Sequence, residues 1–241
     1  MDDIIEPTSR TGPCNTKPDS HHGIVGMALL LPFTDMTCDT VLPEVQRVLA
    51  QQGVIALPTE TYYGLAVSPL RESALRRLLE VKGRPSDKPI LVLIGSRDQL
   101  AQLVDSIPPA AAVLMNLFWP GPLTIVFPAA SSLSSLLTAG TGTIGIRLPP
   151  LPHLRRLLER TGPLTGTSAN RTFEPPIVSA DEVQRTLGHS LDVILDGGRT
   201  PGGLASTLID ARDRPRVLRA GALPAEVIRV AIAQRGYTLS S

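Results

Sequence analysis

Short apolar segments and amphipathic helical segments alternate along the chain from residue 40 onward. This alternation is typical of an α/β fold, in which helices cover a sheet. Two apolar segments, 123–127 and 143–148, follow each other without an intervening helix, as neighbouring antiparallel strands do. The sequence therefore predicts a twisted sheet of mixed parallel and antiparallel strands flanked by helices. Aromatic residues make up only 3% of the chain, so aliphatic side chains must fill its core.

Several boundaries of these elements can be predicted from local signals. Gly83 is expected to end the second helix, and Pro224 is expected to begin the last one, with Val227 facing the core. Ser96 with Gln99 and Ser179 with Glu182 have the spacing of a capping box, and each pair predicts the start of another helix.

Residues 1–38 differ in composition from the rest of the chain. They are rich in Thr, Ser, Pro and Asp and have no sustained period, which predicts a flexible leader before a single domain at 39–241. The apolar run 23–33 is too short to span a bilayer and lacks preceding basic residues, so we expect neither an export signal nor a membrane segment. Cys14 and Cys38 form no metal-binding or disulfide pattern, which favours the cytoplasm.

The overall charge limits what the chain can bind. It has 23 Lys plus Arg against 22 Asp plus Glu, a formal net charge of +1. A protein that coats nucleic acid non-specifically normally carries many more cations than anions. Any anionic ligand must therefore be bound by a local cluster of cations.

The segment PTETYYGL (58–65) places two hydroxyls, a carboxylate and a glycine directly after a predicted buried strand. Strand ends in α/β sheets are common ligand sites, so these groups suit recognition of a small polar molecule. The alternative is a plain turn with Gly64 at positive φ.

The segment KGRPSDKP (82–89) holds three cations, Lys82, Arg84 and Lys88, between a predicted helix and a strand. Like charges this close favour an anion between them, and a triphosphate is the natural candidate. The segment lacks the glycine-rich pattern of a P-loop, and a solvated basic loop is the alternative.

Alternation along 143–147 places Thr143, Gly145 and Arg147 on one face of a strand. An arginine within an aliphatic sheet needs a partner, which could be a bound carboxylate or an internal Asp or Glu. Farther on, Ser168 and Asn170 end another strand among small residues, where they could contact a ligand or form an ordinary turn.

The pattern as a whole consists of cations and hydroxyls rather than nucleophiles. The sequence contains no evident Ser–His–Asp set, reactive cysteine or carboxylate cage for a metal. Cations and hydroxyls suit catalysis by positioning and charge stabilisation, as in transfers at phosphorus.

Taken in order, seven segments resemble the YrdC family of threonylcarbamoyl-AMP synthases. The resemblance extends from about residue 40 to residue 235, nearly all of the regularly patterned sequence. Any one motif would be weak, but seven in the expected order are specific. They are PTETYYGL (58–65), KGRPSDKP (82–89), WPGPLT (119–124), TAGTGTIGIR (138–147), TSAN (167–170), GGLAST (202–207) and VLRAG (217–221).

This resemblance implies a YrdC-like fold with a large, positively lined concave cavity. It implies a nucleotidyltransferase that forms threonylcarbamoyl-AMP and pyrophosphate from ATP, L-threonine and bicarbonate, with Mg²⁺ carried by the ATP and no metal ligand from the protein. The product would pass to a tRNA threonylcarbamoyl transferase complex for N6-threonylcarbamoyladenosine synthesis, and a contact with tRNA itself is part of the same expectation.

The family motifs also imply roles for individual residues. Lys82 and Arg84 would be catalytic. ATP would be bound by Lys82, Arg84, Lys88, Thr143, Ser168, Asn170 and Arg219, and threonine by Thr61, Arg147, Gly166 and Ser206.

Two departures and two alternatives accompany this interpretation. Leu93 stands where some relatives have a threonine-contacting histidine, and the chain matches a short form without a second C-terminal domain. A YrdC-like domain could instead bind RNA or assist ribosome maturation without catalysis, although the near-neutral charge argues against this. It could also handle carbamoyl adenylate, but the two cysteines cannot build the zinc fingers of such proteins.

Overall fold

The computed structural model describes residues 26–83 and 88–240. Its strands are β1 (Leu29–Pro32), β2 (Ile55–Pro58), β3 (Tyr63–Ala66), β4 (Val92–Leu93), β5 (Leu123–Pro128), β6 (Thr143–Arg147), β7 (Leu164–Thr165), β8 (Thr167–Ser168), β9 (Val193–Asp196), β10 (Thr207–Asp210) and β11 (Arg216–Arg219). Its α-helices are α1 (Cys38–Ala50), α2 (Glu72–Lys82), α3 (Pro109–Phe118), α4 (Ser135–Thr138), α5 (Pro152–Thr161), α6 (Ala180–Leu187) and α7 (Ala225–Ala233), and 3₁₀ segments occupy Arg97–Gln102 and Gly188–Ser190.

The strands form two mixed sheets. The first has the order β1-β9-β2-β3-β8, in which β1, β9 and β2 are parallel and β3 is antiparallel to both of its neighbours. The second has the order β11-β10-β5-β6-β4-β7, and β5 pairs antiparallel with β6. The predicted mixed α/β class is confirmed, and so is the antiparallel pairing of the two consecutive strands.

Local signals set several element boundaries as expected. Gly83 ends α2 in the left-handed conformation, at φ 57° and ψ 36°, which glycine adopts without a Cβ clash. Ser179 begins α6, and its hydroxyl accepts a hydrogen bond from the Glu182 amide at 3.4 Å. The core between elements is mainly aliphatic, although Phe33, Tyr63 and Phe127 are also fully buried, and every residue of β2 is buried.

The leader boundary at residue 38 was wrong. Leu29–Pro32 is the edge strand of the first sheet and pairs in parallel register with β9, Leu30 opposite Ile194. Its partner is distant in sequence, so no local period reveals the strand. Cys38 is the first residue of α1 and is 1% exposed, with its thiol donating to the His153 carbonyl at 3.2 Å. Burial raises the pKa of this thiol. Residues 1–25 of the predicted leader, including Cys14, lie outside the described residues.

Two further local predictions were wrong, and one strand was missed. The Ser96–Gln99 capping box does not form, because Gln99 accepts from the Gly95 amide at 2.8 Å and a 3₁₀ helix follows. Val227 is 49% exposed, since the buried face of α7 passes through Ile228. Strand β3 was not predicted.

Within the part of the chain that the structure describes, no helix is long and apolar enough to cross a membrane.

Candidate active site

A cavity of about 750 Å³ is lined by residues of both sheets. This volume is in the range of pockets that hold small molecules and cofactors. The first sheet contributes the β2–β3 turn and the β8 region, and the second contributes β5, β6, β10 and β11. The cavity therefore collects strand ends and faces that are far apart in sequence.

The PTETYYGL segment is the turn of an antiparallel hairpin. Strands β2 and β3 pair from Ile55 opposite Ala66 to Pro58 opposite Tyr63. The Thr59 hydroxyl closes the turn by donating to the Tyr62 carbonyl at 2.8 Å and accepting from the Thr61 amide at 3.2 Å. The turn is therefore rigid, and it presents Thr61 to the cavity.

Gly64 is not the left-handed turn residue of the simple alternative. It lies in β3, and a Cβ at this position would meet the Thr167 carbonyl oxygen at 3.3 Å. The glycine thus permits close approach of the TSAN segment to the hairpin.

Two tyrosines that the sequence reasoning missed tie the hairpin to the glycine-rich loop 197–203. The Tyr62 hydroxyl donates to the Gly203 carbonyl at 2.5 Å, and the Tyr63 hydroxyl donates to the Gly198 carbonyl at 2.7 Å. Burial raises the pKa of Tyr63, and the nearby Asp196 carboxylate adds to the rise, so the phenol is a neutral donor. Their place beside Thr61 in the motif was the only sequence signal for this role.

Strand β6 presents its predicted face to the cavity. Thr143, Gly145 and Arg147 all line it, as alternation required. Arg147 is 2% exposed, and its Nη1 lies 3.3 Å from Oε1 of Glu60. The sequence left two possible partners for this arginine, a bound carboxylate or an internal acid. The structure shows that an internal acid, Glu60, is present. Burial lowers the pKa of Arg147, Glu60 opposes that change, and the nearby charge of Arg219 reinforces it.

Lys82 connects the end of α2 to the TSAN segment. Its Nζ donates to the carbonyl oxygens of Ser168 at 2.6 Å and Asn170 at 2.9 Å, and Lys82 is 5% exposed. The Ser168 hydroxyl donates to the Asn170 side-chain oxygen. Ser168 and Asn170 thus form a structured turn, as one of the two interpretations predicts, and both residues also line the cavity.

Arg219, Ser206 and Thr124 form a hydrogen-bonded group on the second sheet. Nη2 of Arg219 donates to the Ser206 carbonyl at 2.9 Å, and the Ser206 hydroxyl lies 2.7 Å from that of Thr124. Burial lowers the pKa of Arg219. A Cβ on Gly221 would lie 2.2 Å from the Ala205 carbonyl oxygen, so only glycine permits this approach of the two segments.

Leu93, the departure from the family pattern, is fully buried in β4 beneath the cavity. It pairs with Arg147 across the strands, and a Cβ on Gly166 would meet its Cγ at 2.6 Å. Leu93 therefore supports the cavity wall at Gly166.

The structure brings together every predicted site residue that it describes. Arg84 lies outside the described residues. The others, all of which line the one cavity, are Thr61, Lys82, Lys88, Thr143, Arg147, Gly166, Ser168, Asn170, Ser206 and Arg219.

An acid and two arginines at the cavity rim were missed. Asp210 accepts from Nη2 of Arg212 at 2.8 Å and lies 4.0 Å from Arg216. The hydrogen bond from Arg212 lowers the pKa of the Asp210 carboxyl. No motif signalled these residues. Asp210 ends β10 opposite Arg216, the first residue of β11, and Arg212 lies in the connection between the two strands.

No group of three or more His, Cys, Asp and Glu side chains within residues 26–83 and 88–240 could hold a metal ion. The cavity lining combines cations, of which Lys82 and Arg147 are buried, with hydroxyls, backbone groups and the Asp210 carboxylate. This composition suits binding and charge stabilisation of an anionic ligand.

Comparison with known proteins identifies the relatives of the chain. The family model Sua5_yciO_yrdC, described as telomere recombination, matches residues 47–221. The threonylcarbamoyl-AMP synthase of Pyrococcus abyssi is 39% identical over 183 residues, which is 75% of this chain and 54% of that protein. The enzyme of the same name from Vibrio vulnificus is 37% identical, over 75% of this chain and 98% of the relative.

A structural neighbour agrees with these relatives. The structure of P. abyssi Sua5 complexed with L-threonine has a TM-score of 0.82 and 33% identity, over 88% of this chain and 62% of that one. The chain spans little more than half the length of the Pyrococcus relative. The sequence and structural matches together establish that the chain belongs to the Sua5/YciO/YrdC family.

Proposed function

We propose that the chain is an L-threonylcarbamoyladenylate synthase, which forms threonylcarbamoyl-AMP and pyrophosphate from L-threonine, bicarbonate and ATP. The observation that carries the proposal is the single cavity that holds buried Arg147 and Lys82 among hydroxyls and glycines. The guanidinium of Arg147 suits a carboxylate, and the ammonium group of Lys82 suits phosphates. The name shared by the relatives supports the same activity.

ATP would bind along the side of the cavity that begins at Lys82. Lys82 is fixed by two backbone carbonyls, and so its charge lies at a defined point beside Ser168. The proposed ATP contacts are Lys82, Arg84, Lys88, Thr143, Ser168, Asn170 and Arg219.

L-Threonine would bind at the Arg147 end. The guanidinium would pair with the substrate carboxylate, which matches its planar arrangement of donors. Thr61 and Ser206 supply hydroxyls near the same wall, and Gly166 lets the ligand approach the backbone.

The reaction needs no protein nucleophile. The threonine nitrogen forms a bond to the carbon of CO₂ and gives N-carboxythreonine with loss of a proton. A carboxylate oxygen of that species attacks the α-phosphorus of ATP, and the bond to the pyrophosphate oxygen breaks. Lys82 and Arg84 stabilise the negative charge on the phosphates as this bond breaks.

Magnesium would arrive with the nucleotide, as the resemblance to the family implies. Bound to the triphosphate, it would neutralise phosphate charge. The adenylate product would be transferred in the cytoplasm to a tRNA threonylcarbamoyl transferase complex for N6-threonylcarbamoyladenosine synthesis, with a contact to tRNA during delivery.

The test is pyrophosphate release by purified protein with ATP, Mg²⁺ and bicarbonate, with and without L-threonine. We expect release that depends on L-threonine, that L-serine and L-valine do not match, and that Arg84→Ala abolishes. Arg76→Ala is the matched control, since Arg76 is an exposed arginine of α2 paired with Glu72. Folded protein without threonine-dependent release would overturn the proposal and favour the non-catalytic RNA-binding module.

A further inference from the structure

Glu60 and Arg147 form a buried ion pair beside the cavity. Their closest atoms are 3.3 Å apart, and their side chains are 12% and 3% exposed. Both Glu60 oxygens are buried without a hydrogen-bond partner among the described residues, as is Nε of Arg147. Burying a carboxylate costs free energy unless an opposite charge compensates for it. Arg147 supplies that charge.

The two members of the pair face the cavity differently. Arg147 lines it, whereas Glu60 is not among the described residues that do. The carboxylate therefore approaches the guanidinium from the protein side. The cavity side of the guanidinium is left for a ligand.

The hairpin turn fixes where the Glu60 carboxylate can reach. The Thr59 hydroxyl accepts hydrogen bonds from the amides of Thr61 and Tyr62. These bonds join the residues before and after Glu60. Its backbone has little freedom to move the carboxylate away. The turn therefore fixes the backbone from which the Glu60 side chain reaches the guanidinium.

Glu60 also favours the charged form of Arg147. Burial and the charge of Arg219 lower the pKa of Arg147, and the Glu60 carboxylate opposes both. The ion pair at 3.3 Å therefore helps to keep the guanidinium protonated, which is the form that binds a carboxylate.

We propose that Glu60 is a positioning residue, which holds the Arg147 guanidinium in the orientation that binds the carboxylate of the amino-acid substrate. This inference rests on the proposed function and extends it to a residue outside the implied site. Glu60 touches no reacting atom, so its effect is on ground-state binding of the amino acid. Such an effect raises KM and leaves kcat unchanged.

The test compares Glu60→Gln and Glu60→Asp with the wild type in threonine-dependent pyrophosphate release. For Glu60→Gln we expect KM for L-threonine to rise roughly 10- to 100-fold, the range of a lost charged hydrogen bond, with kcat retained. Glu60→Asp keeps the negative charge on a shorter side chain, so its KM for L-threonine should lie between those of the wild type and Glu60→Gln.

L-Threoninol, which lacks the carboxylate, separates positioning from a general structural role. The wild type should bind L-threonine far better than L-threoninol in competition measurements. Glu60→Gln should reduce the difference in affinity between the two ligands, because the part of binding that depends on the substrate carboxylate is lost. A purely structural defect would weaken both ligands equally.

Asp192→Asn is the matched control. Asp192 pairs with Arg77 at 2.9 Å and does not line the cavity in the described part of the chain. It should reduce stability without changing KM for L-threonine.

Each outcome assigns a cause. Wild type without threonine-dependent release defeats the proposed function itself. An active wild type with an unchanged or lower KM in Glu60→Gln overturns only the positioning role. If Glu60→Gln fails to fold, the test is made with Glu60→Asp. A wild-type KM for L-threonine in that variant, with an unchanged difference in affinity between L-threonine and L-threoninol, would show that Glu60 has only a structural role.

Discussion

Arg147 and Lys82, two buried cations of the cavity, are held by different kinds of partner. Arg147 lies 3.3 Å from a carboxylate oxygen of Glu60, so a full opposite charge compensates for its own. Lys82 donates hydrogen bonds of 2.6 and 2.9 Å to the backbone carbonyls of Ser168 and Asn170, which carry only partial charges.

This difference affects both ends of the proposed active site. Arg147 and its counter-ion together suit a ligand recognised by geometry, such as a planar carboxylate. Lys82 orders the turn at Ser168 and Asn170 through its two hydrogen bonds, and it lines the part of the cavity proposed to hold the phosphates. Removal of the Arg147 side chain and removal of the Lys82 side chain should therefore leave different groups unsatisfied. The two losses in free energy of unfolding should differ accordingly.

The largest expected effect is that of Arg147→Met, which leaves the Glu60 carboxylate buried without its counter-charge. We expect the free energy of unfolding to fall by about 3–5 kcal/mol, measured by denaturant titration. The double variant Arg147→Met/Glu60→Gln should recover part of this loss, because no unpaired charge remains. A double variant as unstable as the single one would show that the pair does not interact as its geometry indicates.

Lys82→Met should have a smaller effect on stability. It deprives two carbonyls of a donor but leaves no unpaired charge from this pair of contacts, so we expect a loss of about 1–3 kcal/mol in the same titration. A cost equal to that of Arg147→Met would break the contrast between the two cations. The KM for ATP should rise as well, since the proposed phosphate contact is lost.

Phe173→Gly tests the turn that follows the Lys82-bound segment. The amide of Glu174 donates to the Arg171 carbonyl at 3.1 Å, and Phe173 occupies the third position of this turn with φ +74°. Glycine favours that position, and the Phe173 side chain is 100% exposed, so its removal loses no burial. We expect the free energy of unfolding to rise by roughly 0.5–1 kcal/mol.

Phe173→Ala is the control for this substitution. It removes the same ring but keeps a Cβ in the left-handed conformation, so it should give no gain in stability. An equal gain in both variants would assign the effect to the ring rather than to the backbone.

The smallest expected effect is at the rim, where Asp210 pairs with the partly exposed Arg212. Solvent screens this pair, and Asp210→Asn should cost no more than about 1 kcal/mol at neutral pH. The folded-state pKa of Asp210 is lowered by Arg212, so its contribution is present above the unfolded pKa and is lost as pH falls through the folded one. Unfolding measured from pH 6 down to about pH 3 should therefore show a shallower acid decline in the variant. Parallel declines would contradict this.

Several predictions that depended on neighbours in sequence succeeded, although the Ser96–Gln99 capping box and the inward position of Val227 did not. Gly83 and Ser179 set helix ends through hydrogen bonds within a few residues, so their type and spacing were sufficient. The alternation on β6 correctly placed Thr143 and Arg147 on the cavity face, because side-chain direction in a strand has a fixed period.

Predictions that depended on distant partners failed. Strand β1 was assigned to a leader because its partner β9 lies near the other end of the chain. Strand β3 was hidden within a polar motif that was interpreted as a strand end, although Gly64 and Leu65 pair with β2 and β8. The rim residue Asp210 carried no motif.

The sequence by itself determined the family motifs, the mixed α/β class and the predicted site residues that line the cavity, although Asp210, Arg212 and Arg216 were missed. Residue types and their local spacing carry this information, because motif order, helix capping and strand alternation act over short stretches of chain. Only the tertiary structure decided which charge faces which. Glu60 and Arg147 belong to different sheets, and packing of the hairpin turn against β6 makes them a pair. An electrostatic partner depends on distance in space, which local sequence patterns do not specify.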